Sequence, residues 1–352
     1  MLVNKQQFKN ALAKASILTS SALTGDKVRF TALGGQASIT ASNGAGMGIF
    51  RFECGADGDM AFVIEAKRLA IVNSLRGDPD FTLAGDKLTI SQGETTTSLP
   101  VEPPEALAVP EMYLDKDKAF EVDPAKLKRI FTQVAYARDT KDNFYSNYSF
   151  GSDGRSLFAR ATNSKLAARA TLGLEAGITA FEATITATAV ALIEALEEDS
   201  PVKIALGENY LELESVSMSA FIHTPERAFP APQCDSLIDG GDGAAKFAIA
   251  KEAMMGSLGI FASSEAKDIT FAKEGDTVVL SSDNGISSVR DRIPLESSEG
   301  TDFKFALDLG QCRAIFASLR DAPALAFRYD DAAKPVRFGD GVAMAGVVTT
   351  LV

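Results

Sequence analysis

The sequence predicts an α+β protein built from three tandem domains of similar architecture. A block that reads helix end, acidic or proline turn, strand, tight turn and strand recurs at Leu75, Leu196 and Leu319, 121 and 123 residues apart. A short strand that runs into an amphipathic helix recurs at a similar interval. The length of 352 residues also exceeds what one hydrophobic core usually organises.

The helix that opens each predicted domain carries apolar residues four positions apart on one face. These pairs are Phe8 and Leu12, Leu127 and Phe131, and Met254 and Leu258. Asp123 and Pro124 favour a helix start, because Asp caps free amides and Pro suits the first turn.

A second helix is predicted near the middle of each domain, over Glu65 to Arg76, Thr186 to Glu198 and Asp308 to Arg320. Three or so short strands follow every helix, so two helices should cover one face of antiparallel strands. We expect the edge strands of adjacent domains to pair with each other. Residues 1–109, 110–236 and 237–352 form the predicted domains, with linkers at 100–110 and 229–243.

The composition argues against an enzyme. His223 is the single histidine, no cysteine cluster is present to hold zinc, and no phosphate loop opens a helix. Gly44 to Gly48 is predicted to be a hairpin turn, and Cys54, Cys234 and Cys312 to be free thiols. We expect no metal and no cofactor. Without a run of 18 apolar residues, the chain is expected in the cytoplasm.

Five segments resemble one protein family. They are Gly85 to Ile90, Ile204 to Asn209, Arg160 to Ala167, Phe229-Pro230 and Val347-Val348. In order and spacing they resemble the bacterial-type β sliding clamp, the processivity factor of DNA polymerase III, across essentially the whole chain. The ending Thr349-Thr350-Leu351-Val352 departs from the family pattern, which favours a divergent member from a bacteriophage or an unusual lineage.

The resemblance implies three clamp domains per protomer and a ring of two protomers, with helices lining the hole and antiparallel sheets outside. Such a ring encircles double-stranded DNA without reading its sequence, tethers DNA polymerase, is placed by a clamp loader and is not an enzyme. Two alternatives stay open: a structural repeat scaffold that binds no DNA, and a metal-dependent two-layer α+β enzyme.

The resemblance also implies a pocket for a partner peptide. Its residues would be Thr162, Ser164, Lys165, Leu166, Pro230, Val347, Val348, Thr349, Thr350 and Leu351. The dimer interface would join Thr97 and Leu99 of one protomer to Ile260 and Phe261 of the other. Both sets are also compatible with ordinary strand ends and core positions.

The six predicted helices together carry a net charge of +6, which leaves −18 for the rest of a chain whose total is −12. A basic lining would attract DNA phosphates without base recognition. The residues expected to contact DNA are Lys5, Lys9, Lys14, Lys67, Arg68, Arg76, Lys128, Arg129, Phe144, Tyr145, Arg313 and Arg320. The cations are equally compatible with solvated helix faces and the aromatics with a core. The orientation of Glu194, Glu197 and Glu198 is left open.

Overall fold

A computed structural model describes most of the chain. The described residues are 1–19, 26–56, 58–108, 119–141, 143–163, 165–319, 321–340 and 344–350, without the side chain of Met344. They form two compact units: residues 1–128 with 185–226, and residues 129–184 with 227–352. The predicted middle domain contributes to both units, and the three domain boundaries stay a prediction.

Seven α-helices occur in the described part of the chain. They are α1 (Lys5–Thr19), α2 (Ala66–Leu69), α3 (Pro124–Val134), α4 (Ala187–Glu194), α5 (Ala231–Asp239), α6 (Lys251–Ser263) and α7 (Leu309–Ser318). A 3-10 helix over Ala70–Ser74 continues α2. All except α5 coincide with the six predicted helices. None of these helices is long and apolar enough to cross a membrane.

The strands are short and almost all of them lie in antiparallel sheets. They are β1 (Lys27–Leu33), β2 (Gln36–Asn43), β3 (Gly46–Glu53), β4 (Met60–Glu65), β5 (Asp80–Ala84), β6 (Lys87–Gln92), β7 (Thr95–Pro100), β8 (Phe120–Val122), β9 (Tyr148–Ser152), β10 (Ser156–Thr162), β11 (Leu166–Gly173), β12 (Phe181–Ile185), β13 (Val202–Leu206), β14 (Tyr210–Glu214), β15 (Met218–His223), β16 (Ala245–Ala250), β17 (Asp268–Glu274), β18 (Thr277–Asp283), β19 (Ser288–Gly300), β20 (Lys304–Asp308), β21 (Ala324–Tyr329), β22 (Val336–Gly339) and β23 (Met344–Val348). The β2–β3 hairpin confirms the turn predicted at Gly44 to Gly48.

The first unit contains an eight-stranded sheet in the order β4-β1-β2-β3-β15-β14-β13-β8, and a three-stranded sheet β5-β6-β7. In the larger sheet, β3 of the predicted first domain pairs with β15 of the predicted second, from Phe50 opposite Met218 to Gly46 opposite Ile222. The expected pairing between adjacent domains is therefore confirmed here. A Cβ at Gly46 would collide with the backbone of Phe221 and Ile222, so only glycine permits this approach.

The second unit contains a twelve-stranded sheet in the order β12-β9-β10-β11-β23-β22-β21-β16-β19-β18-β17-β20. Here β11 of the predicted second domain pairs with β23 of the predicted third, with Leu166 opposite Val348 and Ala168 opposite Gly346. The glycine is again required, because a Cβ at Gly346 would lie 2.6 Å from the carbonyl oxygen of Ala167.

Local sequence explains where the helices start and which face they bury. Asn4 accepts a hydrogen bond from the Gln7 amide at the start of α1, and Asp123 accepts one from the Ala125 amide at the start of α3. The six apolar residues predicted at four-residue spacing in α1, α3 and α6 are all buried. The burial of apolar side chains thus holds the helices to the sheets, and it stabilises the fold by about 25 cal/mol for each Å² of apolar surface removed from water.

The second predicted linker is wrong, because residues 231–239 of that segment form helix α5. Pro232 lies in the first turn of α5, where its missing N–H removes no helical hydrogen bond. Cys234 and Ile238 lie four residues apart and are both buried. A proline and glycine-rich composition was therefore compatible with a short helix that packs on a sheet.

Candidate functional site

Lys14 of α1, a predicted DNA contact, is buried rather than presented to solvent. Its side chain is only 8% exposed, and its Nζ lies 2.8 Å from Oε1 of Glu197 and 3.2 Å from Oγ of Ser217. Burial opposes the ionisation of Glu197, but the hydrogen bonds from Lys14 and Ser217 hold the pKa of Glu197 below its usual range. This lysine thus joins α1 to the chain that follows α4.

The acidic residues after α4 bind lysines. Glu198 lies 2.8 Å from Nζ of Lys128, in the same unit as the pair formed by Lys14 and Glu197. Glu197 and Glu198 therefore neutralise cations of α1 and α3, and whether this acidic segment faces DNA stays open. In the second unit, Arg129 lies 2.6 Å from Asp321.

The other predicted cations are nearer to solvent. Lys67 and Arg68 lie 3.1 and 3.2 Å from the carboxylate of Glu65, and these contacts hold the pKa of that carboxyl below its usual range. Lys5 donates a hydrogen bond from Nζ to the carbonyl oxygen of Leu75.

Three predicted cations have neither an ion pair nor a side-chain hydrogen bond within the described part of the chain. Lys9, Arg76 and Arg313 are exposed there. Lys9 and Lys67 line a cavity of about 350 Å³ between α1 and α2. Arg320 lies outside the described residues.

The predicted aromatic contacts lie in a 3-10 turn over Phe144–Ser146. The side chain of Asn143 accepts a hydrogen bond from the Tyr145 amide, which fixes the start of the turn. Tyr145 is 37% exposed. The guanidinium carbon of Arg227 lies 4.1 Å from the centre of the Phe144 ring, within cation–π range. Tyr145 is therefore at the surface, and the half-buried Phe144 is flanked by a cation.

The predicted partner-pocket residues meet at the β11–β23 pair but lie on two faces of the sheet. Thr162 is opposite Ala167 and Ala167 is opposite Val347, so these three side chains share one face. Leu166 and Val348 are opposite each other on the other face. The structure thus brings the residues together along the strands without placing all of them in one cavity.

The exposure of the pocket residues also differs. Thr162, Leu166, Val347 and Val348 are buried. Lys165 and Thr349 are exposed, and Pro230 and Thr350 are half-buried. The Thr349 amide donates to the carbonyl oxygen of Lys165, which extends the strand pairing past β23. Ser164 and Leu351 lie outside the described residues.

Helix α5 covers the sheet face that carries Thr162 and Val347. Its Ala231, Cys234 and Ile238 join a buried apolar cluster with Ala167, Phe229 and Val347. Burial, with Asp235 nearby, raises the pKa of Cys234 to about 11. The face is therefore closed by a segment of the chain itself.

Four charged residues hold α5 on this face. Arg160 contacts both carboxylate oxygens of Asp235, at 2.8 and 2.6 Å. Arg169 lies 3.0 Å from Asp235 and binds Asp239 at 2.7 and 2.6 Å. We call these four residues the α5 latch. These ion pairs are not among the features predicted from the sequence, although the four-residue spacing of Asp235 and Asp239 matches that of the apolar Cys234 and Ile238.

The predicted dimer residues occupy different environments. Thr97 and Leu99 are half-buried on β7, an edge strand of the three-stranded sheet. Ile260 on α6 is 54% exposed, whereas Phe261 is fully buried in the core of its own unit. Of these two residues, only Ile260 is therefore available for contact with a second protomer.

Among the described residues, no group of three or more His, Cys, Asp or Glu side chains is placed so that it could hold a metal ion. No protein-family model matches the chain. No curated protein matches it either.

Solved structures match the whole chain. The DNA polymerase III β chain of Streptococcus pneumoniae is 16% identical, covers 100% of both chains and has a TM-score of 0.87. The β subunit from Thermotoga maritima is 17% identical, covering 100% of this chain and 98% of its own, with a TM-score of 0.86. The sliding clamp of Bacillus subtilis is 13% identical over the same shares, with a TM-score of 0.88. This chain therefore has the α+β fold of the bacterial DNA polymerase III β chain, which fits the predicted three-domain layout.

Proposed function

We propose that this chain is a DNA polymerase processivity factor, a sliding clamp that encircles duplex DNA and tethers the polymerase. The observation that carries the proposal is the match of the entire chain to sliding clamps, with TM-scores of 0.86 to 0.88 and at least 98% of each chain covered. A clamp acts mechanically and needs no catalytic group of its own.

Ring closure would join two protomers head to tail. Among the described strands, none pairs with the outer side of edge strand β7, which carries Thr97 and Leu99, so a neighbouring chain can cover that side. Ile260 offers an exposed apolar side chain on α6. Two such contacts between unlike surfaces close a ring if the rotation between protomers permits it.

DNA would be held weakly by the helices. Lys9, Arg76 and Arg313 are exposed cations, whereas Lys14 and Lys128 are neutralised by carboxylates. A small number of available cations gives a low, salt-sensitive affinity without sequence preference. Such contacts favour sliding over tight binding. Phe144 and Tyr145 would contribute stacking or backbone contacts at the edge of the hole.

The polymerase would dock through a short peptide at the β11–β23 pair, beside the exposed Lys165 and Thr349 and the half-buried Pro230 and Thr350. We include Ser164 and Leu351 in this proposed site on the sequence pattern alone. A clamp loader would open the ring between protomers.

The test is topological. Protomers are diluted until they dissociate, then concentrated together with a closed circular plasmid, and protein bound to DNA is separated by gel filtration. We expect a solution mass of twice 37.2 kDa and retention that is lost when the plasmid is cut. The variant Ile260→Asp, which places a charge on the proposed interface, should fail to be retained. Equal retention on circular and linear DNA, or a monomer at micromolar concentration, would contradict the proposal.

A further inference from the structure

Two arginines of like charge lie side by side in the second unit. Arg160 on β10 is directly opposite Arg169 on β11. Like charges at opposed positions of a sheet repel each other. The arrangement therefore requires carboxylates, and Asp235 and Asp239 of α5 supply them at a spacing of one helical turn.

The geometry of the α5 latch is that of strong ion pairs. Both Arg160–Asp235 and Arg169–Asp239 are two-point contacts between a guanidinium and a carboxylate. The Arg160 side chain is 7% exposed, and its remaining donor reaches Ser149 and Glu182 at 3.2 and 3.3 Å. Solvent therefore competes little with the inner half of the latch.

The helix that the latch holds has little stability of its own. α5 has nine residues, and isolated helices of that length are marginal in water. No side-chain cap satisfies its first amides. Gly241 and Gly243, just after it, have φ values of +74° and +80°, which glycine adopts without strain. The latch and the apolar contacts below α5 are thus what keeps it in place.

We propose that α5 is a latched cover over the sheet face that carries Thr162 and Val347, and that a partner segment reaches this face only when the latch opens. The inference deepens the proposed partner site and rests on it. A segment that replaces α5 must offer carboxylates to Arg160 and Arg169 and apolar side chains to Ala167 and Val347. The fitting partner is an acidic amphipathic segment.

Cys234 can report the opening of α5, because this residue lies on the buried side of the helix and is only 3% exposed. Alkylation by iodoacetamide is followed residue by residue with mass spectrometry in the full chain. The test variants are Asp239→Asn and Arg169→Gln. Asp235 is left intact because its charge also acts on the Cys234 thiol. Both variants should speed alkylation of Cys234 by about tenfold or more, since local opening sets the exposure of a buried group.

Two controls separate opening from other effects. Glu274→Gln removes a carboxylate that also bridges two arginines, Arg290 and Arg292, but does not touch α5. It should leave Cys234 unchanged. Cys312, fully buried in α7, should stay protected in every variant and thereby exclude global unfolding. Equal Cys234 rates in wild type, Glu274→Gln and both latch variants would overturn the proposal.

The docking chemistry is tested with a fluorescent peptide that has the sequence of residues 231–239. It should bind Asp239→Asn at least about tenfold more tightly than wild type, because a cover that is open more often raises the competent fraction. Equal binding to both proteins, or to neither, overturns the docking part. Since neither measurement involves DNA, failure of the latch is distinguishable from failure of the clamp function, which the plasmid experiment measures.

Discussion

The two places where a sheet continues from one predicted domain into the next share a backbone design and differ in their cover. At β3–β15 the close approach depends on Gly46, and at β11–β23 it depends on Gly346. The first junction is fastened by Lys14, which binds Glu197 and the Ser217 hydroxyl. The second is covered by α5 and its latch.

The difference lies in how far water reaches the charges. The Glu197 side chain is 44% exposed, so its pair with Lys14 keeps access to solvent on one side. The two cations are similarly enclosed, with Lys14 8% and Arg160 7% exposed, but the Asp235 side chain is only 29% exposed, and its removal would leave the Arg160 charge buried. Removing the Lys14 amine should therefore cost little, because the remaining Glu197 carboxylate reaches water, whereas removing Asp235 should cost more, because the remaining Arg160 does not.

The largest effect is expected from adding a side chain to the glycine at which β3 approaches β15. Gly46→Ala should lower the free energy of unfolding by about 3 kcal/mol, because the new Cβ meets backbone atoms that cannot rotate away. Gly44→Ala is the matched control, since nothing lies within 4 Å of a Cβ there. Urea unfolding measures both. Similar losses in the two variants would refute the requirement for glycine at β3–β15.

Breaking the inner half of the latch should come next. Asp235→Ala leaves Arg160 with Glu182 and Ser149 alone and should cost about 3 kcal/mol. Adding Arg160→Met removes the uncompensated charge and should restore part of the loss. A double-mutant cycle in urea measures the coupling. If the double variant is as unstable as the sum of the singles, Arg160 and Asp235 are not coupled.

The sequence predicted the repeat well because helix periodicity is local. Phe8 with Leu12, or Leu127 with Phe131, is readable within one turn. It did not predict the partners of the charges, because Lys14 and Glu197 are 183 residues apart and their meeting depends on sheet pairing between domains. The helix α5 was missed for a related reason. Its stability comes from Arg160 and Arg169 rather than from its own proline-containing sequence.

The same limit applies to the candidate site. Adjacent residues such as Ile260 and Phe261 received one role from the sequence, but helix geometry turns Ile260 outward and Phe261 into the core. Leu166 and Thr162 were likewise grouped in one pocket, although strand pairing puts them on different faces. A sequence pattern predicts where a residue lies along the chain. The side of the sheet or helix on which its side chain lies depends on the strand pairing and helix packing, which the structure shows.

At the first junction, Lys14→Met should change stability by no more than about 1 kcal/mol. The methionine fills the same buried space, and Glu197 can be hydrated once the amine is gone. The measurement is again urea unfolding, read beside Asp235→Ala. A loss as large as that of Asp235→Ala would remove the proposed difference between the junctions.

Acid should loosen the second junction through Asp239. Its hydrogen bond from Arg169 lowers the pKa of Asp239, so the folded state binds this proton more weakly than the unfolded chain does. The resulting stability is complete above the unfolded pKa of about 3.9 and is lost as pH falls through the lower folded value. Stability measured from about pH 6 downward should fall less steeply in Asp239→Asn. Parallel curves for wild type and variant would contradict this role of the pair.

The smallest expected effect concerns an ion pair that fastens no junction. Glu65 binds Lys67 and Arg68 on one exposed stretch of the first unit, and Glu65→Gln leaves both cations without that carboxylate. If Lys67 and Arg68 face DNA, as predicted from the sequence, the plot of log affinity against log salt should steepen by up to about 2, close to 0.9 per phosphate contacted. Glu252→Gln removes the same charge from α6, where no ion pair of Glu252 is found among the described residues. This control variant can change the affinity for DNA but should leave the slope of log affinity against log salt as in the wild type. Equal slopes would place Lys67 and Arg68 away from the DNA and would leave Lys9, Arg76 and Arg313 as the cations that contact it.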